Sequence, residues 1–243
     1  MPDLKIKLGS LELDNPIIVF SGYATETESL IAKADAFGPG AIVLKTALPD
    51  TDYANVVKPY APNRYPSIRV KFGSCEDGLI GAESLSTMPL ELWADWLAKN
   101  RDKFRTRIIA SVAGVSPEGH ARGAKMMEEA GADALEILLA CPAPYFKKLE
   151  YAMTQDERIV KEICEAVRES VRIPVGVKIM SFSHLARAAR ETGIYWITFG
   201  GVFLAGPGVD LETLEPEIPG SVFISGSRLY KYVTAEPSSP SQR

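Results

Sequence analysis

With 243 residues, 46% of them hydrophobic and 24% charged, the chain has enough apolar material for one large α/β core or two small ones. A net charge of -4 and the lack of a basic run interleaved with aromatics argue against a nucleic-acid surface. The start, MPDLKIKLGS, has no apolar signal core. No apolar stretch approaches the ~20 residues that span a bilayer. Three cysteines, Cys75, Cys141 and Cys164, lack CxxC spacing, which fits free thiols in a reducing cytoplasm.

Residues 4–13 alternate, with Leu4, Ile6 and Leu8, a Gly9-Ser10 turn, then Leu11 and Leu13; this predicts a β-hairpin. Pro16–Ser21 is a candidate buried strand ending at Ser21-Gly22. Glu26–Phe37 has helical spacing and stops at Gly38-Pro39-Gly40. Ala41–Thr46 is a second apolar strand, and it ends on Lys45 and Thr46. Residues 47–86 show no period, and a loop of that length inside a compact domain is usually functional.

A helix over 89–104 and a strand over 107–112 follow. The next helix opens with Ser116 as N-cap and Pro117 as first residue. The run Ala134–Ala143 (ALEILLACPA) is apolar and stops at Cys141-Pro142, as a buried parallel strand does before a functional loop. Helix 155–170 starts with a Thr154–Glu157 capping box. Strand 174–179 carries Lys178; helix 183–192 and strand 194–199 complete the alternation. After Gly200 the pattern fades, apart from a short stretch over 222–232.

Six strand–helix alternations predict an α/β fold with a parallel sheet. A complete (β/α)₈ barrel takes ~250 residues, and this chain spends many of its own on the hairpin and the long loop. The expected unit is one domain over 1–234, with a polar disordered tail over 235–243.

Taken in order, these segments resemble the dihydroorotate dehydrogenase superfamily, including the FMN half-domain of dihydropyrimidine dehydrogenases. The carriers are LGSLELDNPIIVFSG, AIVLKT, GLIGAESL followed by MPLELW, IIASVAG, EAGADALEI, IPVGVKI, and VDLETLEP followed by ISGSRLYK. The resemblance implies a TIM-type (β/α) barrel that holds FMN at its C-terminal face. About six of its βα units are recognisable, and the last two are missing.

By the same resemblance, Ser21, Gly22, Lys45, Thr46 and Lys178 are cofactor-binding. Cys141 is the catalytic acid or base, and the loop with Cys75 and Gly78 covers the substrate. Where the family reads ELNxSCPN, this chain has Glu136, Ile137, Leu138, Leu139, Ala140, Cys141, Pro142 and Ala143. The family's asparagine after the sixth strand falls near Phe199 or Gly200. Without those amides a pyrimidine would lose ~1–3 kcal/mol per unsatisfied group, so a less polar substrate is expected. The family's last two strands, whose loops hold the cofactor phosphate, find no counterpart, which counts against FMN.

Other readings of these residues stay open. Cys141 is either a proton-transfer group or a small apolar residue at a strand end. Lys45 and Lys178 either face an anionic ligand or pair with Glu136. Cys75 is read as a lone loop thiol, although a meeting with Cys141 would permit metal or redox chemistry. No metal site is otherwise expected. Arg64, Arg69 and Lys71 read as a solvated basic loop. Trp93, Trp96 and Cys164 read as core, and His120 and His184 as surface helix residues.

Two functions remain. One is an FMN-dependent oxidoreductase acting on a C–C bond of a small molecule. The other is a non-flavin paralogue, serving as a structural or regulatory subunit or reusing the barrel mouth without FMN. An incomplete barrel leaves two open sheet edges, so a homo-oligomer or a hetero-complex that covers them is expected.

Overall fold

A computed structural model describes residues 4–52, 73–75, 78–81, 85–86, 88–140, 156–180, 183–200, 203–205, 212–213 and 222–225. The hairpin is as expected: β1 (Ile6–Leu8) pairs antiparallel with β2 (Leu11–Leu13). Gly9 holds the turn with φ of +62°.

A six-stranded parallel sheet contains β3 (Ile18–Val19), β4 (Ala41–Val43), β7 (Arg107–Val112), β8 (Ala134–Leu138), β9 (Val175–Met180) and β10 (Trp196–Gly200). Its spatial order is sequential, β3-β4-β7-β8-β9-β10, so each βα unit adds a strand to the same edge. Sequential addition with a right-handed twist curls a sheet into a barrel. Here six strands make a half-barrel with an open trough, edged by β3 and β10.

Helices α1 (Glu28–Ala36), α3 (Leu90–Asn100), α4 (Pro117–Glu129), α5 (Glu157–Ser170) and α6 (Ser183–Glu191) cover the sheet's outer face; α2 (Asp50–Asp52) is a single turn. Ser116 caps α4 by accepting a hydrogen bond from the Gly119 amide, as its sequence predicts. The N-cap of α5 is Asp156, which accepts from the Arg158 amide, and not the expected Thr154. A carboxylate there also opposes the positive helix end.

Apolar side chains fill both faces of the sheet, as expected where both are covered. Ile42, Leu44, Ile108, Ala110, Val112, Leu135, Ile137, Val175, Val177 and Ile179 pack outward with the helices, around Trp93, Met127 and Ile163. Trp93 is fully buried and donates its Nε1–H to Ser86 Oγ at 2.7 Å; Trp96 meets it edge-on. Cys164 is core, as expected, and burial pushes its thiol up to about 12. On the concave face Ala41, Val43, Ile109 and Ala134 meet Leu11 and Leu13 of the hairpin, which plugs the trough at its N-terminal end.

The segment without a period is not wholly irregular. Within it β5 (Gly73–Cys75) and β6 (Gly78–Gly81) form a hairpin. β6 pairs with β12 (Val222–Ser225), which pairs with β11 (Phe203–Ala205). This four-stranded antiparallel sheet joins segments more than a hundred residues apart, so short-range periodicity could not reveal it. β11 begins three residues after β10 ends, which ties the small sheet to the C-terminal end of the sixth strand.

Candidate functional site at the C-terminal end of the trough

The concave face changes character along the strands. Below, it is apolar. At the C-terminal ends it carries Thr46, Ser111, Glu136, Lys178 and Thr198. Register fixes this layer: Ser111 is opposite Glu136, and Lys178 is opposite both Leu138 and Thr198. Partners opposite one another in parallel strands point to the same side.

One feature of β4 could not be read from its apolar run. Val43 lies opposite Ile109, while Ala47 bridges to Val112, so four steps along one strand match three along the other. This is a β-bulge, and bulges re-aim side chains beside functional sites. The bulge turns the Lys45 amide away from the ladder to Thr25 O at 3.3 Å and brings Thr46 beside Ser111. Lys45 itself is buried.

Three buried hydroxyls form a continuous chain. Ser21 Oγ and Thr46 Oγ1 are 3.0 Å apart, and Thr46 Oγ1 and Ser111 Oγ are 2.7 Å apart; either partner can donate in each pair. The Thr46 amide also donates to Ser21 Oγ at 3.0 Å. The chain thus crosses the ends of the first three strands of the sheet. Gly22, next to Ser21, donates its amide to Thr25 Oγ1 at 3.2 Å. A Cβ at Gly22 would stand 2.8 Å from the Phe20 ring.

Across the trough, Glu136 is 4% exposed and its Oε2 accepts from Thr198 Oγ1 at 2.6 Å. Burial pushes its carboxyl above the usual range; the charge of Lys178 and the Thr198 hydrogen bond pull it partly back. Lys178 acts on Glu136 through space and makes no ion pair with it among the described residues. Its Nζ lies 5.9 Å from the centroid of the Phe20 ring. Phe20 follows the first strand of the sheet and Lys178 lies in the fifth, so this contact spans the trough.

The ion pair of a lysine with Glu136, one of the two expected arrangements, is therefore replaced by a looser one for Lys178. Space for Trp196 is made by Gly176, opposite Glu136: a Cβ there would stand 2.0 Å from Trp196 Cε2. Ser21, Gly22, Thr46 and Lys178 all lie at the C-terminal end of the sheet, and Lys45 sits buried in the bulge between them. Cys141 lies outside the described residues, as do Arg64, Arg69 and Lys71. The backbone pairs Cys75 with Gly78 across the β5–β6 turn.

His120 is a correction. It is 1% exposed, not a surface residue, because its side chain packs against Gly114 in the β7–α4 elbow. Its Nδ1 lies 2.8 Å from Ser116 O, and its buried Nε2 finds no partner among the described residues. Burial lowers the imidazole to about 4. Ser111 and Thr198 were missed at the sequence level. The available signal was a lone hydroxyl residue inside each of two otherwise apolar strands.

Among the described residues no group of three or more His, Cys, Asp or Glu could hold a metal ion. No helix among them is long and apolar enough to cross a membrane.

A parallel sheet curled about a plugged trough, with its polar layer at the C-terminal strand ends, defines a shortened (β/α)-barrel protein. The chain belongs to the dihydroorotate dehydrogenase family, whose model matches residues 3–231. It is 27% identical to the chloroplastic dihydropyrimidine dehydrogenase (NADP(+)) of Arabidopsis thaliana over 89% of this chain and 52% of that protein. It is 26% identical to the dihydroorotate dehydrogenase B (NAD(+)) catalytic subunit of Methanocaldococcus jannaschii, over 79% of this chain and 60% of that one. The corresponding subunit of Thermoplasma volcanium is 27% identical over 80% and 61%. The chain thus spans between half and two-thirds of the length of these relatives.

Proposed function

We propose that this chain binds FMN in the trough and takes part in oxidising or reducing a carbon–carbon bond of a small molecule less polar than a pyrimidine. The observation that carries the reading is the polar layer at the C-terminal strand ends, on a chain of the dihydroorotate dehydrogenase family. Its donor set fits a flavin ring. Lys178 supplies a cation without a close carboxylate among the described residues, Thr46 and Ser21 supply hydroxyls, and the Ser21-Gly22 turn supplies backbone. Bound there, FMN would supply two-electron chemistry, accepting or returning a hydride.

The chain's own groups would do the rest. Lys178 would hold negative charge on the ring, and Lys45 would support it from the bulge. Cys141, by family resemblance, would give or take a proton at the reacting carbon. Leu138, where the family has an asparagine, offers no amide to a pyrimidine edge. Thiolate chemistry and a cofactor phosphate site are assigned to no described residue. Among the described residues β3 and β10 pair with no further strand, which supports an assembly in which a second surface, from another copy or another subunit, covers that side.

Titration of the purified protein with FMN, followed by absorbance and fluorescence, tests the reading. Stoichiometric binding is expected, weakened at least about tenfold by Lys178→Met, a loss of ~1.4 kcal/mol. Protein that stays colourless with excess FMN overturns it and leaves the non-flavin paralogue.

A further inference from the structure

Lys178 holds its charge in apolar company. On its own face of the sheet the neighbouring residues are Leu138 on β8, which is buried, and Thr198 on β10, whose hydroxyl donates to Glu136. One pleat below on β9, ~6.7 Å along the strand, is Gly176. The Trp196 ring fills the space that a side chain at Gly176 would take, and it packs against the plug cluster that contains Leu11 and Leu13. Across the trough the Phe20 ring faces the ammonium, with its centroid 5.9 Å from Nζ. An aromatic floor and an aromatic wall thus stand about one cation.

The wall is the part that packing does not explain. Phe20 is 66% exposed, so the core gains little from it. Its ring nevertheless turns over the mouth. Phe20 Cε2 lies 2.8 Å from where a Cβ on Gly22 would stand, and Lys178 Nζ lies over the ring. A cation–π contact at an exposed site adds little to the fold. The same ring offers a ligand much more, since covering it removes apolar area from water.

We propose that Phe20 is the specificity-determining residue of the trough: a flat conjugated ring with an electron-rich or anionic edge lies against the Phe20 ring and sets that edge on Lys178. The proposal deepens the function above and rests on its reading that a small molecule meets Lys178. Two rings have this chemistry, that of a flavin and that of an aromatic acid as substrate. Paired aromatic rings gain more than the area they bury. A saturated ring of the same size and charge gains the cation and not the wall. The Glu136 carboxyl turns to Thr198, so the ligand's edge meets the ammonium from the Phe20 side.

The test titrates the purified chain with three probes. Riboflavin carries the flavin ring without the phosphate and is followed by its fluorescence. Benzoate and cyclohexanecarboxylate share charge and size and differ in the ring; both are followed by ligand-observed NMR. Benzoate should bind the wild type at least about threefold more tightly than the saturated acid. Phe20→Leu should weaken the conjugated rings about three- to tenfold and leave the saturated acid within about twofold. Phe20→Tyr should keep the wild-type preference. Phe20 is exposed, so both variants are expected to fold.

Conjugated rings that bind Phe20→Leu as tightly as the wild type overturn the proposal, and so does a wild type that binds neither riboflavin nor benzoate. Riboflavin bound equally by both proteins leaves the flavin reading standing and removes Phe20 from it. Benzoate that depends on Phe20 while riboflavin does not bind supports the wall as a substrate site and counts against the flavin. The two ideas therefore fail separately.

Discussion

The two ends of the trough treat charge in opposite ways. At the N-terminal end Asp133 is paired twice, with Arg101 at 2.6 Å and Arg107 at 3.2 Å, and it also accepts from the Ile108 amide at 2.8 Å. At the C-terminal end, among the described residues, Glu136 has only a hydroxyl donor, Lys178 lies over an aromatic ring, and His120 keeps one nitrogen unpartnered. Paired charges at the first end hold β7 and β8 in register. Incompletely neutralised groups at the other end cost stability, and proteins retain such groups where they act on something. Only two residues of β8, Ala134 and Leu135, stand between Asp133 and Glu136.

The largest effect that would sharpen this contrast is expected from Asp133→Ala. It leaves the half-buried Arg101 guanidinium and the Ile108 amide without their acceptor and should cost about 3 kcal/mol in chemical denaturation. Ligand binding by the folded fraction should be unchanged. A variant as stable as the wild type would erase the difference between the ends.

An intermediate effect concerns acid. His120 is neutral in the folded protein down to about 4, whereas an unfolded histidine titrates near 6.5. Its stabilising contribution is complete above 6.5 and is lost as pH falls toward 4. The wild type should lose about 2 kcal/mol between neutrality and pH 5 through this group. His120→Leu should flatten that slope in pH-dependent unfolding; a slope that persists would place the acid sensitivity elsewhere.

The smallest change at neutral pH is expected from Glu136→Gln, whose amide oxygen still accepts from Thr198. Stability should shift by no more than about 1 kcal/mol. The pH profile should differ in direction. A carboxyl raised by burial stabilises fully below the ordinary carboxylate range and loses that contribution as pH rises through its folded value. The wild type should weaken as pH rises from the ordinary carboxylate range toward the raised folded value, and the glutamine variant should not. Equal slopes would mean that burial does not raise the Glu136 carboxyl.

Much of the fold was legible because each βα unit writes its pattern locally. β7, β8 and the opening of α4 fall where apolar runs, Ser116 and Pro117 put them. β3 is shorter than its apolar run, since pairing with β4 covers only Ile18 and Val19. The antiparallel sheet of β5, β6, β12 and β11 escaped notice because its partners are distant in sequence and its strands short. At the site, Lys178 and Glu136 stood out as charges in apolar strands. Ser111 and Thr198 did not, since a lone hydroxyl in a strand is unremarkable until register aims it.

What the residues determined by themselves is the alternation of units, their caps and the placement of apolar faces, because hydrophobic period and capping chemistry act over a few residues. What only the tertiary structure decided is the bulge at Lys45, the hydroxyl chain it completes, the contact of Lys178 with Phe20 and the burial of His120. These depend on how many residues of one strand face how many of the next, and on how far the sheet curls, and neither quantity is encoded in any single segment.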